Sequence, residues 1–214
     1  MPSLDLLWDL LFPPKCPFCG KLLEKGELLC PECQRGLPWL TGAEGKKAVE
    51  LTEGCVSALR YEGKVRKAIH GFKFGGRSAR SKAFGLLIAQ CVTDQGLTAD
   101  LISWPSISKR RFRQRGYDQG ELLAREVGKH LGLPVVRTLR KADRPAQSGL
   151  KGAAERRANL LGAYTALAPE AFRDKMVLLV DDVVTSGATF SECAGTLRTA
   201  GAKAVLCATL ARAG

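Results

Sequence analysis

The sequence predicts an α/β fold built on a parallel sheet, preceded by a small metal-binding module. The first observation is a short apolar, β-branched run at residues 177–180, which is typical of a buried strand. Two carboxylates and a loop of hydroxyls follow it, and residues 188–200 then have the pattern of a helix. The second observation is a pair of Cys-x-x-Cys motifs near the N-terminus.

The loop after the predicted strand has the composition of a phosphate-binding turn. Asp181 and Asp182 come first, and the hydroxyls of Thr185 and Ser186 follow. Free backbone N–H groups at a helix N-terminus bind anions, and glycine allows a tight turn close to the anion. The simpler alternative is a capped turn between a strand and a helix. The expected phosphate-binding residues are Thr185, Ser186, Gly187, Ala188 and Thr189.

The acidic pair needs a ligand group other than phosphate. Two adjacent carboxylates repel a bare phosphate, so Asp181 and Asp182 are expected to hold ribose hydroxyls or a Mg²⁺ ion. A phosphate loop joined to such a site indicates a sugar phosphate as ligand.

The four clustered cysteines predict a structural zinc site. Cys16 and Cys19 form one knuckle, Cys30 and Cys33 form the other, and ten residues separate the two. This spacing is typical of a tetrahedral site with four thiolate ligands, whereas a disulfide pair or a redox dithiol are the alternatives. The other four cysteines lie among apolar neighbours and are expected in the core.

Composition and charge restrict the class of protein. The 214 residues carry a formal net charge of +12, and residues 60–160 hold 22 Lys and Arg against 8 Asp and Glu. A localised basic region suits a polyanion, either a pyrophosphate or a nucleic-acid backbone, although a solvated surface is equally compatible. Aspartates interrupt the apolar run near residues 4–12, so neither a signal peptide nor membrane insertion is expected, and the predicted location is the cytoplasm.

The remaining elements follow in chain order. Apolar spacing predicts a helix over residues 3–12, either docked on the protein or available to a partner, and a linker over residues 41–50. Strands are predicted at residues 55–61 and 99–104, and helices at residues 64–74, 81–92 and 121–131.

Two polar segments are further candidates for anion contacts. The stretch after the second of these strands is expected to be a loop. Its cations form a second anion site by charge, and they are Lys109, Arg110, Arg111, Arg113 and Arg115. Residues 140–159 are polar and long, as functional lids often are, and they include Arg144, Gln147 and Lys151. An exposed helical connector is the alternative.

Several motifs in this order resemble one family. They are the Cys-x-x-Cys pairs, Arg-Gln-Arg-Gly-Tyr-Asp-Gln at 113–119, Gln-Ser-Gly-Leu at 147–150, Glu-Arg-Arg-Ala-Asn at 155–159, the acidic loop and Thr-Leu-Ala-Arg at 209–212. Together they are similar to ComF-type proteins, the competence and GntX-type family that joins a zinc ribbon to a phosphoribosyltransferase-like domain. Tyr117 and Asp118 depart slightly from the usual Phe-Asn of that family.

The resemblance implies a fold and a division of the chain. Residues 1–45 would form the helix and zinc ribbon, and residues 46–214 a type I phosphoribosyltransferase-like domain. That domain would be a mostly parallel twisted sheet with helices on both faces. Its ligand would be phosphoribosyl pyrophosphate (PRPP), bound across the carboxyl edge of the sheet.

The resemblance also implies roles for the motifs. Asp181 and Asp182 would act as the catalytic acidic pair at the ribose, with Mg²⁺ as cofactor. The loop at 105–110 would hold the pyrophosphate together with Arg115. Arg144, Gln147 and Lys151 would close over it as the lid. Catalysis itself is left open by the sequence. A transferase acting on an unknown acceptor and a non-enzymatic protein binding single-stranded DNA or other competence proteins are both compatible with it.

Overall fold

A five-stranded sheet forms the centre of the protein in the computed structural model, which describes residues 13–143 and 162–214. Its strands are β1 (Lys46–Lys47), β2 (Cys55–Arg60), β3 (Leu101–Ser103), β6 (Met176–Val184) and β7 (Ala204–Arg212). The strand order is β1-β2-β7-β6-β3. All adjacent pairs are parallel except β1 with β2. A separate antiparallel pair is formed by β4 (Leu139–Lys141) and β5 (Tyr164–Ala166).

Six α-helices surround the sheet in the described part of the chain. They are α1 (Pro31–Gly36), α2 (Gly63–Phe74), α3 (Ser81–Asp94), α4 (Lys109–Arg115), α5 (Gln119–Leu131) and α6 (Ala188–Thr199). Helices α3 and α5 pack on one face of the sheet, and α6 with β5 covers the other. The expected mostly parallel sheet with helices on both faces is therefore confirmed.

The side chains of strand β6 are buried on both faces of the sheet. Leu178 and Val180 belong to the core on the α3 and α5 side, whereas Val177 and Leu179 belong to the core on the α6 side. Successive strand side chains point to opposite faces, so an unbroken apolar run is what a doubly covered strand requires. The strand continues through Val184, so the acidic pair lies within it and not beyond its end.

The cysteine-rich segment packs directly on the sheet domain. The rings of Phe18 and Phe84 lie 5.5 Å apart, and Phe84 in turn contacts Phe72 of α2 at 5.5 Å. Residues 38–40 extend the edge of β2, where Leu40 donates to the Ala58 carbonyl at 2.9 Å. The cysteine-rich segment and the sheet domain thus share one hydrophobic core.

Two predicted segments differ from the structure. The expected basic loop is the helix α4, because Ser108 caps its start by accepting from the Arg111 N–H and Gly116 ends it at φ +79°. The predicted linker at 41–50 contributes β1 and the buried Val49. The helix predicted at residues 3–12 lies outside the described residues. Among the described helices, none has the length and hydropathy needed to cross a membrane.

Candidate functional site

The four predicted metal ligands converge at one end of the protein. The sulfur atoms of Cys16, Cys19, Cys30 and Cys33 all lie within 4.8 Å of one another, and those of Cys19 and Cys30 are 3.5 Å apart. A tetrahedral zinc ion with Zn–S bonds of about 2.3 Å places its sulfurs about 3.8 Å apart, so this cluster fits zinc. Three of the four side chains are buried, as in a closed structural site.

Local backbone structure explains the convergence. Gly20 at φ +80° closes the first knuckle, with its N–H donating to the Cys16 carbonyl at 2.9 Å. Cys30 is the N-cap residue of α1, and this places Cys33 in the first turn of that helix. Each knuckle therefore presents two thiols to the same point.

A second site is a cleft of about 280 Å³ beside the carboxyl ends of β3 and β6. It contains both aspartates of β6, Thr185 of the loop that follows, Thr189 of α6, and four cations from α2, α4 and β4. Its charged and polar side chains are those of Tyr61, Lys73, Ser106, Arg111, Arg115, Gln119, Lys141, Tyr164, Asp181, Asp182, Thr185 and Thr189. Open parallel sheets bind ligands at this edge.

The acidic pair lies on the two faces of the sheet. Asp182 is 2% exposed and its Oδ1 accepts from Nζ of Lys73 at 2.8 Å, while Oδ2 has no hydrogen-bond partner among the described residues. Asp181 lies on the opposite face, and its Oδ1 accepts from the Asp182 N–H at 2.8 Å. Burial and the neighbouring Asp182 raise the pKa of Asp181 to about 7. The Asp182 and Asp181 carboxylates raise the pKa of Lys73, although burial acts in the opposite direction.

The hydroxyl loop connects β6 to the N-terminus of α6. Thr185 and Thr189 line the cleft, and the Ser186 hydroxyl accepts from the Ala188 N–H at 3.4 Å. Gly187 is buried at φ +85°, and a Cβ there would meet the Val49 side chain at 3.0 Å. A side chain at this position is therefore disfavoured both by backbone strain and by packing.

Helix α4 supplies two of the cations that line the cleft. Arg111 and Arg115 lie one helical turn apart and both line the cleft, whereas Lys109 and Arg110 are exposed and do not. Arg115 donates to Oε1 of Gln119 at 2.7 Å, and its guanidinium lies 4.7 Å from the centre of the Phe74 ring. Burial and the charge of Arg111 lower the pKa of Arg115.

Asp118 fixes the loop that precedes α4. One carboxylate oxygen accepts from the Ile107 N–H at 3.0 Å and from Nε1 of Trp104 at 3.2 Å. The other accepts from the N–H groups of Gly120 and Glu121, at 3.0 and 3.4 Å, and so caps α5. One buried side chain thus joins the start of α5 to the loop that forms one edge of the cleft.

Two of the four cleft cations, Lys73 and Lys141, were not predicted from the sequence. Lys73 comes from α2 and Lys141 from β4, where it donates to the hydroxyl of Tyr164 on β5 at 3.1 Å. Burial, and then the charge of Arg111, lower the pKa of Lys141. Only the basic character of the middle region pointed to these residues. The predicted lid residues Arg144, Gln147 and Lys151 lie outside the described residues.

Comparison with protein-family models identifies both parts of the chain. A double zinc ribbon domain matches residues 7–45, which contain the four clustered cysteines and hence enough ligands for one tetrahedral site. A phosphoribosyl transferase domain matches residues 117–214, which include the acidic pair and the hydroxyl loop.

Parts of two solved structures match this chain. The allosteric regulatory enzyme of purine biosynthesis matches 62% of this chain with a TM-score of 0.39 and 19% identity. Glutamine PRPP amidotransferase from B. subtilis matches 61% with a TM-score of 0.42 and 23% identity. The matched region is about a quarter of each of those chains, at 24% and 25%.

Curated relatives match nearly the whole chain. The DNA utilization protein YhgH of Escherichia coli K12 is 30% identical over 211 residues, which cover 91% of this chain and 84% of that protein. Competence protein F of Haemophilus influenzae is 29% identical over 210 residues, which cover 94% and 85%. The chain therefore belongs to the ComF-type family, in which a zinc ribbon precedes a phosphoribosyltransferase domain.

Proposed function

We propose that the cleft binds PRPP and that the protein transfers its phosphoribosyl group to an acceptor. The observation that carries this proposal is the meeting of two carboxylates, a hydroxyl loop and four cations in one cleft. A ligand with hydroxyls, a monophosphate and a pyrophosphate requires these three kinds of group. The domain match at residues 117–214 supports the same assignment.

Each part of the ligand has a matching part of the cleft. Asp181 and Asp182 accept the ribose hydroxyls, and the loop at 185–189 with the N-terminus of α6 binds the 5′-phosphate. Arg111 and Arg115 lie where they can neutralise the pyrophosphate.

The reaction requires charge stabilisation more than a nucleophile from the protein. The bond between C1 of the ribose and the pyrophosphate oxygen breaks, the electron pair leaves with pyrophosphate, and the acceptor bonds to C1. Cations held in place around the leaving group lower the barrier to this step. Lys141 and Arg111 flank the cleft on the side of the loop at 105–107 and contribute that positive charge.

Two metal ions fit the described residues. The four cysteines fit a structural zinc ion. Asp182 Oδ2 lacks a hydrogen-bond partner within the described part of the chain, so a carboxylate oxygen is available for Mg²⁺. Magnesium supplies positive charge to a bound pyrophosphate.

Calorimetry of Mg²⁺ and PRPP binding tests the proposal. The wild-type protein is expected to bind PRPP in the micromolar range, and an Asp181→Asn/Asp182→Asn variant is expected to lose binding. Asp94→Asn is the matched control, because Asp94 is exposed on α3 and lies outside the cleft. Absence of binding to the folded wild type contradicts the transferase proposal.

A second candidate function is binding of single-stranded nucleic acid. Lys109, Arg110 and Arg113 are exposed on α4 outside the cleft, and Phe112 between them is 48% exposed. Cations interleaved with an exposed ring suit a strand whose bases stack on aromatic side chains. The names of the relatives, DNA utilization protein and Competence protein F, favour the same class of partner.

Salt dependence distinguishes the two functions. Binding of an oligothymidylate that weakens steeply with salt and is undisturbed by PRPP favours the nucleic-acid function. Release of pyrophosphate from PRPP in the presence of an acceptor favours the transferase.

A further inference from the structure

A recess of about 400 Å³ opens beside the cleft, between the end of α2 and helix α4. This volume lies within the range of about 300–1,000 Å³ that is typical of small-molecule sites. Three cations line both the recess and the cleft, whereas the other lining residues belong to the recess. The shared residues are Lys73, Arg111 and Arg115, and the others are Phe74, Gly76 and Gln114.

The shared residues place the recess relative to the proposed ligand. Lys73 contacts Asp182, which is assigned to the ribose, and Arg111 and Arg115 are assigned to the pyrophosphate. C1 of the ribose is the atom that joins these two parts of PRPP. The recess therefore opens onto the cleft where C1 is expected, and C1 is the atom to which the acceptor bonds.

An exposed aromatic ring lines this recess. Phe74 is the last residue of α2 and is 63% exposed, although the Arg115 guanidinium lies 4.7 Å from its ring centre and the His70 ring lies 4.9 Å away. The neighbouring Phe72 is buried, and the Tyr117 hydroxyl donates to its carbonyl, so the end of α2 is fixed against the connection between α4 and α5. An exposed ring held at a fixed position suits the stacking of a planar ligand.

The other groups of the recess restrict the chemistry of this ligand. Among the described residues, its lining has three cations and no carboxylate, so a cationic amine would meet like charges. The exposed amide of Gln114 can both donate and accept hydrogen bonds, as the polar edge of a heterocycle requires. A Cβ on Gly76 would meet no atom within 4 Å, so space for a ligand remains there.

We infer that the recess is the acceptor subsite and that the acceptor is a planar nitrogen heterocycle, neutral or anionic, which stacks on Phe74. This inference rests on the proposed function, and it names the class of acceptor that the proposed function leaves open. A lone pair on a ring nitrogen forms the bond to C1 while the bond from C1 to oxygen breaks, and the electrons of that bond leave with pyrophosphate. A proton carried by that nitrogen passes to water.

Saturation-transfer NMR of the ligand-free protein tests the inference directly. The probes are adenine, uracil and nicotinate, and ethanolamine is the cationic, non-planar comparison. The wild type is expected to bind at least one heterocycle and not ethanolamine, and Phe74→Leu is expected to weaken that binding about tenfold because stacking is lost. Phe74→Trp keeps an aromatic face and is expected to retain binding.

Phe112→Leu is the matched control, because Phe112 is an exposed ring on α4 that lines neither the recess nor the cleft. It is expected to bind the probes as the wild type does. Absence of binding by all three heterocycles, or equal binding by Phe74→Leu and wild type, overturns the inference.

PRPP calorimetry distinguishes the recess from the cleft. Phe74→Leu and Gln114→Ala are expected to bind PRPP as tightly as the wild type, because both side chains line the recess and not the cleft. Both side chains are exposed, so neither substitution is expected to unfold the protein. If Phe74→Leu loses as much affinity for PRPP as for the heterocycle, the separate acceptor subsite is excluded.

The two experiments separate two failures. If the wild type binds no PRPP, but binds a heterocycle that Phe74→Leu does not bind, the proposed function fails and the recess remains a heterocycle site. If the wild type binds PRPP and none of the heterocycles, the inference about the recess fails alone.

Discussion

The zinc ribbon and the cleft are built from the chain in opposite ways. All four thiols of the ribbon come from an 18-residue segment, and their spacing in the sequence is enough to predict that they meet in one site. The cleft takes its charged groups from β6 and from α2, α4 and β4, which are far apart in sequence. A local site is therefore encoded by a motif, whereas a distributed site depends on how the fold brings its elements together.

Removal of a zinc ligand gives the largest expected effect. Zinc contributes about 10–16 kcal/mol of apparent binding free energy to zinc-finger peptides, and we expect it to stabilise this segment in the same way. Cys16→Ser is expected to lose zinc and the folded ribbon, measured by metal content and by near-ultraviolet circular dichroism. Cys91→Ser, a buried thiol outside the cluster, serves as control and should keep one zinc per chain. Full zinc content in Cys16→Ser contradicts this assignment.

Phe18 tests whether the ribbon and the sheet domain are stabilised as one unit. Its ring is 7% exposed and packs on Phe84, so Phe18→Ala is expected to lower the free energy of unfolding by about 3–5 kcal/mol while zinc stays bound. Urea denaturation followed by Trp fluorescence measures the change. Leu22→Ala is the control, because Leu22 is 66% exposed and should change stability by less than about 0.5 kcal/mol. Two separate transitions, with only the ribbon affected, would show independent units.

The sequence predicted many of the central elements and the local parts of both sites. Strand β6, the loop at 185–187 and helix α6 occur where the apolar run, the glycine and the helical pattern predicted them. The basic segment at 109–115 was wrongly expected to be a loop, because its charges suggested an open anion site. The sequence did carry a helix signal, because Ser108 is a standard N-cap residue and Gly116 is a standard residue at a helix C-terminus.

No sequence pattern predicted the contacts between elements that are far apart in the chain. Lys73 and Lys141 are two lysines among many in a basic region, and no spacing relates them to the acidic pair. Their role follows from the strand order, which brings the end of α2 and the β4–β5 pair to the carboxyl edge of β6. Asp118 likewise reads as an ordinary helix cap, and only the fold shows that it also holds the Ile107 N–H.

Gly187 gives a smaller effect that is confined to the cleft. Gly187→Ala places a Cβ 3.0 Å from Val49 at φ +85°, so we expect a loss of about 1–3 kcal/mol in stability and a much larger relative loss of PRPP affinity. Gly26→Ala is the matched control, because Gly26 has φ +90° but open space around it. The difference between the two variants isolates the contact with Val49. Adding Val49→Ala to Gly187→Ala should recover part of that difference, and equal losses in both glycine variants would exclude the contact.

The response to pH is the smallest expected effect, and it has opposite signs in the two regions. Thiolate ligands are protonated as pH falls, so the ribbon loses stability toward acid. Asp181 behaves in the opposite way, since burial and Asp182 raise its pKa from 3.8 to about 7. The folded state then binds the proton more tightly than the unfolded chain, and the stability from this group is present below pH 3.8 and lost as pH rises to about 7.

We therefore expect the free energy of unfolding of wild type relative to Asp181→Asn to fall between pH 5.5 and 7 and to level off above that range. Urea titrations of both proteins with zinc in excess measure the difference. Parallel curves would mean that Asp181 is ionised throughout, and the cleft would then carry both negative charges before any ligand arrives.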